Sequence, residues 1–287
     1  MHHTTATLLV SCRDRTGLVA ALSDFVFRHG GNIIDADQHA ESGADNGQFF
    51  MRLRFDIGGF TLDRAGIAAS LGALARKFEL NHQISYSDKR QRVVIFVSKT
   101  PHCLYDLLLR QQLGELGGDI IAVVSNHREL QTVAGHFGLP FHYIPVGAAG
   151  KDEAEQQQLD LLASLDADLV VLARYMQVLS PRFLEQWHSR VINIHHSFLP
   201  AFVGAKPYHQ AKERGVKIIG ATAHYVTPQL DQGPIIEQDV IRVSHRDEVE
   251  DLVRKGRDLE RQVLSRAVHA HLDRRVLISG TRTIVFT

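Results

Sequence analysis

Residues 191–236 contain a group of polar side chains whose types suit carbonyl chemistry. Asn193 and His195 stand two apart in a predicted strand, so their side chains project from the same face. His224 belongs to a second predicted strand, and Asp231 follows that strand in a turn. An amide can donate a hydrogen bond to a carbonyl oxygen, while an imidazole and a carboxylate can move or hold a proton. The group therefore indicates attack of a nucleophile on an acyl carbon.

Four polar residues are expected to support Asn193, His195 and Asp231. Thr222 and His224 share one face of the second strand. His196 and Ser197 directly follow His195, where the first strand ends. Strand alternation aims His196 away from His195, so we expect it to reach the same site only where the strand breaks at Ser197.

Each of these residues also has a structural interpretation. Asn193 can end a strand, His195 can be a buried imidazole with satisfied hydrogen bonds, and Asp231 can form a turn. Metal-dependent hydrolysis is another alternative, with zinc bound by His195, His196, His209 and His224. It is less favoured, because no HExxH or cysteine-rich spacing accompanies these histidines and adjacent strand residues face opposite sides. We therefore expect no metal site.

The elements that position this group belong to a predicted domain over residues 92–287. Apolar strands alternate with helices along it, which is typical of a doubly wound, mostly parallel sheet. Ligand sites in such α/β sheets lie at the carboxyl ends of the strands. The predicted strands are 92–98, 119–125, 141–146, 167–175, 191–195 and 217–226; the helices are 101–113, 129–137, 152–165, 181–187, 207–214 and 244–272; a hairpin follows at 275–286.

A smaller domain is predicted over residues 5–86, before a polar junction at 87–91. Its periodicity predicts the element order β-α-β-β-α-β, the ferredoxin-like arrangement. The predicted strands are 7–11, 32–40, 49–56 and 81–85, the helices begin at Leu18 and Leu62, and a hairpin loop covers 42–47.

Composition narrows the classes of partner. The 287 residues carry 32 Lys and Arg against 32 Asp and Glu, so no excess of positive charge indicates nucleic-acid binding. No apolar run reaches the length of a membrane span, and charged residues from Arg13 onward interrupt any signal-peptide core. Cys12 and Cys103 lie far apart and outside any CxxC pattern, which favours a reduced, cytoplasmic protein.

One long motif spans the polar group. It runs Asn193-x-His195…Ser197-x-Leu199-Pro200…Gly204…His224…Asp231-x-Gly233. This motif resembles the folate-dependent formyltransferase family. The resemblance implies that Asn193, His195 and Asp231 act on the formyl group of 10-formyltetrahydrofolate, which is the substrate, so no separate cofactor is expected. It also implies an apolar folate cleft made by Tyr175, Met176, Val178, Leu179, Val226 and Thr227.

The first domain contains the run DRTGLVAALSDFVFRHGGNIIDADQ, which begins at Asp14. This run resembles an ACT domain, a small-molecule sensing module that usually pairs edge to edge. The resemblance implies a homo-oligomer and an amino-acid effector, bound where the first helix begins beside the second strand, at Asp14, Thr16, Gly17, Leu18, Asn32 and Ile33. Backbone N–H groups at a helix start suit a carboxylate. A role in assembly alone is the alternative, because Gly17 and Asn32 are also ordinary turn and cap residues.

Two departures from the formyl-transferring relatives indicate which reaction to expect. Relatives that act on glycinamide ribonucleotide have a glycine-rich phosphate loop after the first strand, where this chain has Pro101, which lacks the N–H that such a loop would use. His196 stands where formyl-transferring relatives commonly have Pro or Ala.

An ACT-like domain before an HHSFLP core resembles the members of this family that hydrolyse 10-formyltetrahydrofolate to formate and tetrahydrofolate. That reaction balances the one-carbon folate pool and supplies formate for purine synthesis. Formyl transfer to an amine and a non-catalytic folate or amino-acid sensor are the alternatives. For hydrolysis, either His195 or Asp231 can accept the proton of water.

Overall fold

The computed structural model describes residues 4–41, 47–147, 150–200 and 207–287. The predicted hairpin loop at 42–47 therefore falls outside the described residues except for Gly47, and the motif residue Gly204 falls outside them altogether. The chain divides into two compact units. Unit 1 is Met1–Arg90 with Arg274–Ser279 and Ile284–Thr287, and unit 2 is Gln91–Asp273 with Gly280–Thr283. None of the described helices has both the length and the apolar character needed to cross a membrane.

Unit 1 follows the predicted βαββαβ order. Its elements are β1 (Thr5–Arg13), α1 (Leu18–Arg28), β2 (Asn32–Ala40), β3 (Gln48–Asp56), α2 (Arg64–Phe78) and β4 (Asn81–Tyr86). The four strands form an antiparallel sheet in the order β2-β3-β1-β4, which leaves β2 at one edge. One face of each helix is apolar, and α1 buries Leu18, Leu22, Phe25 and Val26 in the unit 1 core.

Unit 2 is an α/β unit built on a seven-stranded, mostly parallel sheet, as predicted. The strands are β5 (Gln91–Val97), β6 (Gly118–Ser125), β7 (Phe141–Tyr143), β8 (Leu169–Leu172), β9 (Val191–His195), β10 (Ile218–Tyr225) and β11 (Ile235–Arg242). The helices are α3 (His102–Gln112), α4 (Gln131–His136), α5 (Lys151–Ser164), α6 (Pro181–Gln186), α7 (Pro207–Arg214) and α8 (Val249–Leu272). The sheet order is β11-β10-β9-β8-β5-β6-β7, with β10 and β11 antiparallel to their neighbours.

Two elements of unit 2 differ from the sequence-based assignment. The strand β11 was not predicted; it is a half-exposed edge strand that pairs with β10, so it lacks the buried apolar run of the parallel strands. The helix α8 begins at Val249 rather than near Ser244. Glu248 and Asp251 form a capping box that satisfies the first N–H groups of the helix at this point.

The C-terminal hairpin consists of β12 (Val276–Ser279) and β13 (Arg282–Val285), and it turns at Gly280 as predicted. Most of it groups with unit 1, whereas the predicted second domain of 92–287 included it. The reason is apolar burial, because Leu277 and Phe286 pack with Leu9 and Phe50 of the unit 1 sheet.

The sheet order of unit 2 brings the carboxyl ends of β5, β8 and β9 side by side. Ser98, directly after β5, links the loops at this edge. Its hydroxyl donates to Asn126 Oδ1 at 2.7 Å and accepts from the backbone N–H of Met176 at 3.0 Å. The segment after β8 is therefore fixed against the end of β5 before any substrate binds.

Close packing at Gly256 in α8 gives a test of this architecture. A Cβ atom at Gly256 would lie 2.0 Å from Tyr208 Oη, so Gly256→Ala must displace the tyrosine. We expect a loss of about 1–3 kcal/mol in the free energy of unfolding, as for other overpacked sites. Trp187 is the single tryptophan and is buried in unit 2, so its fluorescence during urea unfolding reports this unit.

The matched control is Gly135→Ala in α4, where an added Cβ meets nothing within 4 Å. That variant should be neutral or gain up to about 1 kcal/mol, because alanine favours helix over glycine. Equal stability of the two variants would contradict the packing described here.

Candidate active site

A cavity of about 340 Å³ opens at the carboxyl edge of the unit 2 sheet. It has a polar end, formed by residues of β9, β10 and the following turn, and an apolar side formed largely by the segment after β8. The lining residues are Leu172, 174–179, 193–196, His224, 226–228, Leu230 and Asp231. Mostly apolar walls with a few convergent polar groups are typical of a small-molecule site.

Asn193, His195, His224 and Asp231 meet at the polar end. Asp231 Oδ2 lies 3.3 Å from His195 Nδ1, and Asp231 Oδ1 lies 3.8 Å from His224 Nε2. Asn193 Nδ2 is 3.4 Å from His224 Nε2. The antiparallel pairing of β9 with β10 explains the last contact, because it places Asn193 directly opposite His224.

Backbone constraints hold Asp231 between the two rings. Asp231 has a left-handed backbone, with φ 55°, which aspartate tolerates better than most residues in a turn. Two residues later, a Cβ atom at Gly233 would lie 1.7 Å from the carbonyl oxygen of Tyr225. Only glycine allows this approach, so the Asp231-x-Gly233 pair is a geometric requirement of the turn.

The hydrogen bonds of the site fix the charge of Asp231 and one ring tautomer. The ring of His195 at 3.3 Å, and then that of His224 at 3.8 Å, hold the pKa of Asp231 well below its usual range, so the carboxylate is ionised at neutral pH. His224 Nδ1 lies 2.8 Å from the carbonyl oxygen of Tyr225, which can only accept, so Nδ1 carries a hydrogen.

The other ring nitrogen of His195, Nε2, has its hydrogen-bonding capacity unused by the residues that the structure describes. His195 is buried, and its Nε2 has no hydrogen-bond partner among the described residues. A buried polar atom without a partner is unfavourable for the folded protein by itself. At the wall of a cavity, such an atom is positioned to bond to a substrate group or to water.

His196 also lines the cavity, which strand alternation allowed only where the strand breaks. The strand β9 ends at His195, and the turn that follows brings the two imidazole centroids to 5.2 Å. Burial, and then the charge of Arg174, lower the pKa of His196 to about 4. His196 is therefore a neutral imidazole beside His195.

The sequence of this chain matches those of known proteins. The sequence profile described as formyl transferase matches residues 91–268. The chain is 51% identical over 286 residues to formyltetrahydrofolate deformylase from Synechocystis sp., covering 100% of both chains. The chain belongs to the formyltetrahydrofolate deformylase family.

Other deformylases of this family agree. The one from Bacillus subtilis is 48% identical over 97% of this chain and 93% of its own. A crystal structure of formyltetrahydrofolate deformylase from Pseudomonas syringae pv. tomato matches with a TM-score of 0.96 and 46% identity, over 100% of this chain and 95% of that one. Glycinamide ribonucleotide transformylase 1 from Symbiobacterium toebii matches with a TM-score of 0.65 and 30% identity, over 69% of this chain and 95% of that one.

The predicted folate residues all line the cavity of this deformylase-family chain, in two different ways. Met176 and Val178 are 60% and 55% exposed, so their side chains are available to a flat ring. Tyr175 and Leu179 instead belong to the core, where Tyr175 Oη accepts a hydrogen bond from Gln158 at 2.9 Å. Leu230 was expected to line the cleft through its backbone, and its side chain, 60% exposed, adds to the apolar surface.

Ser197 and Thr222, predicted to support the site, do not line the cavity. Both are buried, Ser197 in the loop that follows β9 and Thr222 on β10. The Thr222 hydroxyl donates to the backbone oxygen of Ser197 at 2.9 Å and accepts from the backbone N–H of Leu199 at 3.1 Å. They fix the path of the chain beyond the two histidines.

A buried carboxylate behind the cavity was missed from the sequence. Glu260 of α8 is 2% exposed and accepts hydrogen bonds from Tyr208 Oη at 2.8 Å and from His102 Nε2 at 2.9 Å. Arg174 Nε lies 3.5 Å from the same carboxylate. A glutamate in a long polar helix is usually exposed, so only its spacing from other buried α8 residues hinted at this role.

The four histidines of the zinc alternative do not come together in the structure. His209 is exposed and does not line the cavity with His195, His196 and His224. In the described part of the chain, the group with metal-ligand spacing is instead His102, Cys103 and Glu260, within 4.8 Å. Burial raises the pKa of the Cys103 thiol well above its ordinary value, and two hydrogen bonds already occupy Glu260. These features favour a hydrogen-bonded support over a metal centre.

The predicted effector residues lie in unit 1. Gly17 has φ 92° and precedes α1, and a Cβ atom there would meet nothing within 4 Å. Thr16, Asn32 and Ile33 are exposed, whereas the side chain of Leu18 is buried in the unit 1 core and offers only its backbone to a ligand. The backbone N–H of Asp14 already donates to Gly47 at 2.7 Å.

The pH dependence of stability tests the neutral state of His196. In the unfolded chain this histidine gains a proton below about pH 6.5, but in the fold only near pH 4. Between these values protonation favours the unfolded state, so stability falls as the pH is lowered. His196→Gln lacks this group and should lose less stability between about pH 7 and about pH 5, by on the order of 1 kcal/mol.

Urea unfolding followed by Trp187 fluorescence measures this difference. His209→Gln is the matched control, because His209 is exposed on α7. If both variants lose stability on acidification as the wild type does, His196 is not the group that resists protonation.

Proposed function

We propose that this protein hydrolyses 10-formyltetrahydrofolate to formate and tetrahydrofolate. The observation that carries the proposal is His195 Nε2, a buried nitrogen without a partner among the described residues, in a residue that lines the cavity while Asp231 holds the other nitrogen of the ring. The relatives from Synechocystis sp. and Bacillus subtilis are formyltetrahydrofolate deformylases, which supports the same reaction.

The folate is expected to bind with its pterin ring against the apolar side of the cavity. Met176, Val178 and Leu230 supply exposed apolar surface, and the fixed backbone at Met176 keeps that surface in place. This orientation presents the N-formyl group to the polar end. There Asn193 donates its amide N–H to the formyl oxygen, and one such donor contributes about 3 kcal/mol as negative charge develops.

The proton path in this proposal runs through His195. An ionised Asp231 with a strongly lowered pKa is a weak base, but it stabilises a positive charge on the adjacent imidazole. His195 Nε2 therefore takes a proton from water as the water oxygen bonds to the formyl carbon. The same proton then passes to the departing folate nitrogen as the C–N bond breaks, and the formic acid formed releases its own proton as formate.

Water is the acceptor we propose, rather than an amine. A hydrolase must hold one water near the carbonyl, and the neutral His196 ring can both donate to and accept from it. Pro101, at the start of α3, offers no N–H for the phosphate of a nucleotide acceptor. No cofactor is needed in this scheme, because the folate is consumed as the substrate.

Unit 1 is proposed to be an ACT-type domain that pairs copies of this chain. The edge strand β2 is mostly exposed, with Ile33 and Ile34 exposed by 36% and 45%. An exposed edge strand with apolar side chains is a template for pairing with another chain. An amino acid bound near Gly17 would then act on the paired form, while assembly without a ligand remains the second possibility.

The proposed cellular role is to return tetrahydrofolate to the one-carbon pool and to release formate for purine synthesis in the cytoplasm. Cys12 and Cys103 are both free, buried thiols, in keeping with a reducing compartment. The ratio of 10-formyltetrahydrofolate to tetrahydrofolate in cells with and without the protein measures this role.

Incubation of chelator-treated protein with 10-formyltetrahydrofolate alone tests the reaction. We expect formate and tetrahydrofolate in equal amounts, and no formylated product when glycinamide ribonucleotide is added in excess. Asp231→Asn should lower the rate by about a hundredfold or more with tetrahydrofolate affinity retained, because the charge is removed and the shape is kept. Formylated nucleotide at a rate comparable to formate would make the protein a transferase, and zinc-dependent recovery would favour a metal mechanism.

Sedimentation analysis tests the assembly proposed for unit 1. Ile34→Lys places a charge on the edge strand and should convert the wild-type oligomer to a smaller species. Leu109→Lys is the control, because Leu109 is also about half exposed but lies on α3 of unit 2. An unchanged mass for Ile34→Lys would exclude β2 pairing, and a set of amino acids that leaves the wild-type mass and stability unchanged would favour assembly alone.

A further inference from the structure

Arg174 occupies a backbone position that arginine rarely adopts. It follows β8 and has φ 65°, in the left-handed region where glycine is the least strained residue. Strained positions of this kind persist where the surrounding structure holds them, and they are frequent in ligand sites. Arg174 lines the cavity, and its side chain is only 16% exposed. A role for the guanidinium itself is therefore the first explanation to consider.

The buried carboxylate of Glu260 supports this guanidinium from behind. Arg174 Nε is 3.5 Å from Glu260 Oε2, and Nε makes no hydrogen bond within the described residues. Tyr208 and His102 already donate to the carboxylate. Burial by itself would raise the pKa of Glu260. The hydrogen bond from His102 and the charge of Arg174 outweigh burial, so this pKa lies below its ordinary value. The pair is thus ionic, but Arg174 is not locked in a two-bond fork.

The groups around Arg174 offer it few negative charges. Glu260 is its one ion-pair partner among the described residues, and His196 beside it is neutral. Asp231, the other carboxylate of the cavity, is engaged by His195 and His224 instead. A mostly desolvated guanidinium that is not fully paired attracts small anions, and its planar fork matches a carboxylate.

We propose that Arg174 binds the carboxylate of the product formate at the His196 side of the cavity, with Glu260 as its buried support. The inference rests on the proposed hydrolysis, because that reaction creates a one-carbon carboxylate where the substrate had a neutral formyl group. The attraction of Arg174 is therefore stronger for the anionic adduct and for formate than for the substrate. Interactions that strengthen along the reaction accelerate it, whereas uniform binding does not.

Two other roles for Arg174 predict different results. If it only balances the charge of Glu260, its removal lowers stability and leaves formate binding unchanged. If it binds a carboxylate of the folate tail, its removal weakens tetrahydrofolate binding and leaves formate binding unchanged. Affinities for formate and for tetrahydrofolate must therefore be measured separately.

The experiment titrates full-length protein with 13C-formate, followed by NMR line width, in the presence of saturating tetrahydrofolate. Arg174→Met should weaken formate binding about tenfold or more, as expected for loss of a charged two-bond contact. Arg174→Lys should weaken it less, because lysine keeps the charge without the fork. The tetrahydrofolate affinity should stay within about twofold in both variants.

Arg182→Met on α6 is the matched control, since this exposed arginine does not line the cavity and should bind formate as the wild type does. Unchanged formate affinity in a folded Arg174→Met protein, judged by Trp187 fluorescence, overturns the proposal. If that variant does not fold, unchanged affinity in Arg174→Lys overturns it equally. This titration needs no turnover. A wild-type protein that binds formate but does not hydrolyse the folate would therefore contradict the proposed function and leave the assignment of Arg174 standing.

Discussion

The carboxylate of Asp231 is the interaction on which the rest of the site depends. Its two oxygens face two imidazoles, at 3.3 Å from His195 and 3.8 Å from His224. One anion thus gives both buried rings a counter-charge and a direction, since a buried charge is tolerated only when it is paired. Because Asp231 contacts Nδ1 of His195, Nε2 is the nitrogen of that ring left without a partner among the described residues.

Strand pairing and a tight turn of the backbone hold the Asp231 carboxylate in place. The pairing of β9 with β10 sets Asn193 opposite His224, and the β10–β11 ladder shifts register between Ala223 and His224. Just beyond, the close approach of Gly233 to the carbonyl oxygen of Tyr225 bends the turn back toward the strand. Side chains on such a frame move little when a ligand enters, which is the condition for electrostatic catalysis without reorganisation.

Sequence reasoning was strongest where local periodicity fixes geometry. The spacing of Asn193 and His195 along one strand was enough to place both on one face, and β-α alternation predicted the parallel sheet. It left the position of His196 conditional, because the path of the chain after a strand ends is set by the following loop. It also missed β11 and the Arg174–Glu260 pair, since an edge strand has a weak apolar signal and a tertiary ion pair has none. The C-terminal hairpin was recognised, but its docking partner is distant in sequence.

The docking of that hairpin affects how the protein is made. Leu277 and Phe286 cover the sheet face that carries Leu9 and Phe50, so β1 to β4 emerge from the ribosome long before their cover does. At about 5–20 residues per second, the intervening unit takes on the order of ten seconds or more to synthesise. During that interval the nascent sheet presents an apolar face to other chains and to chaperones. The unit that is translated first is thus completed after the one that follows it.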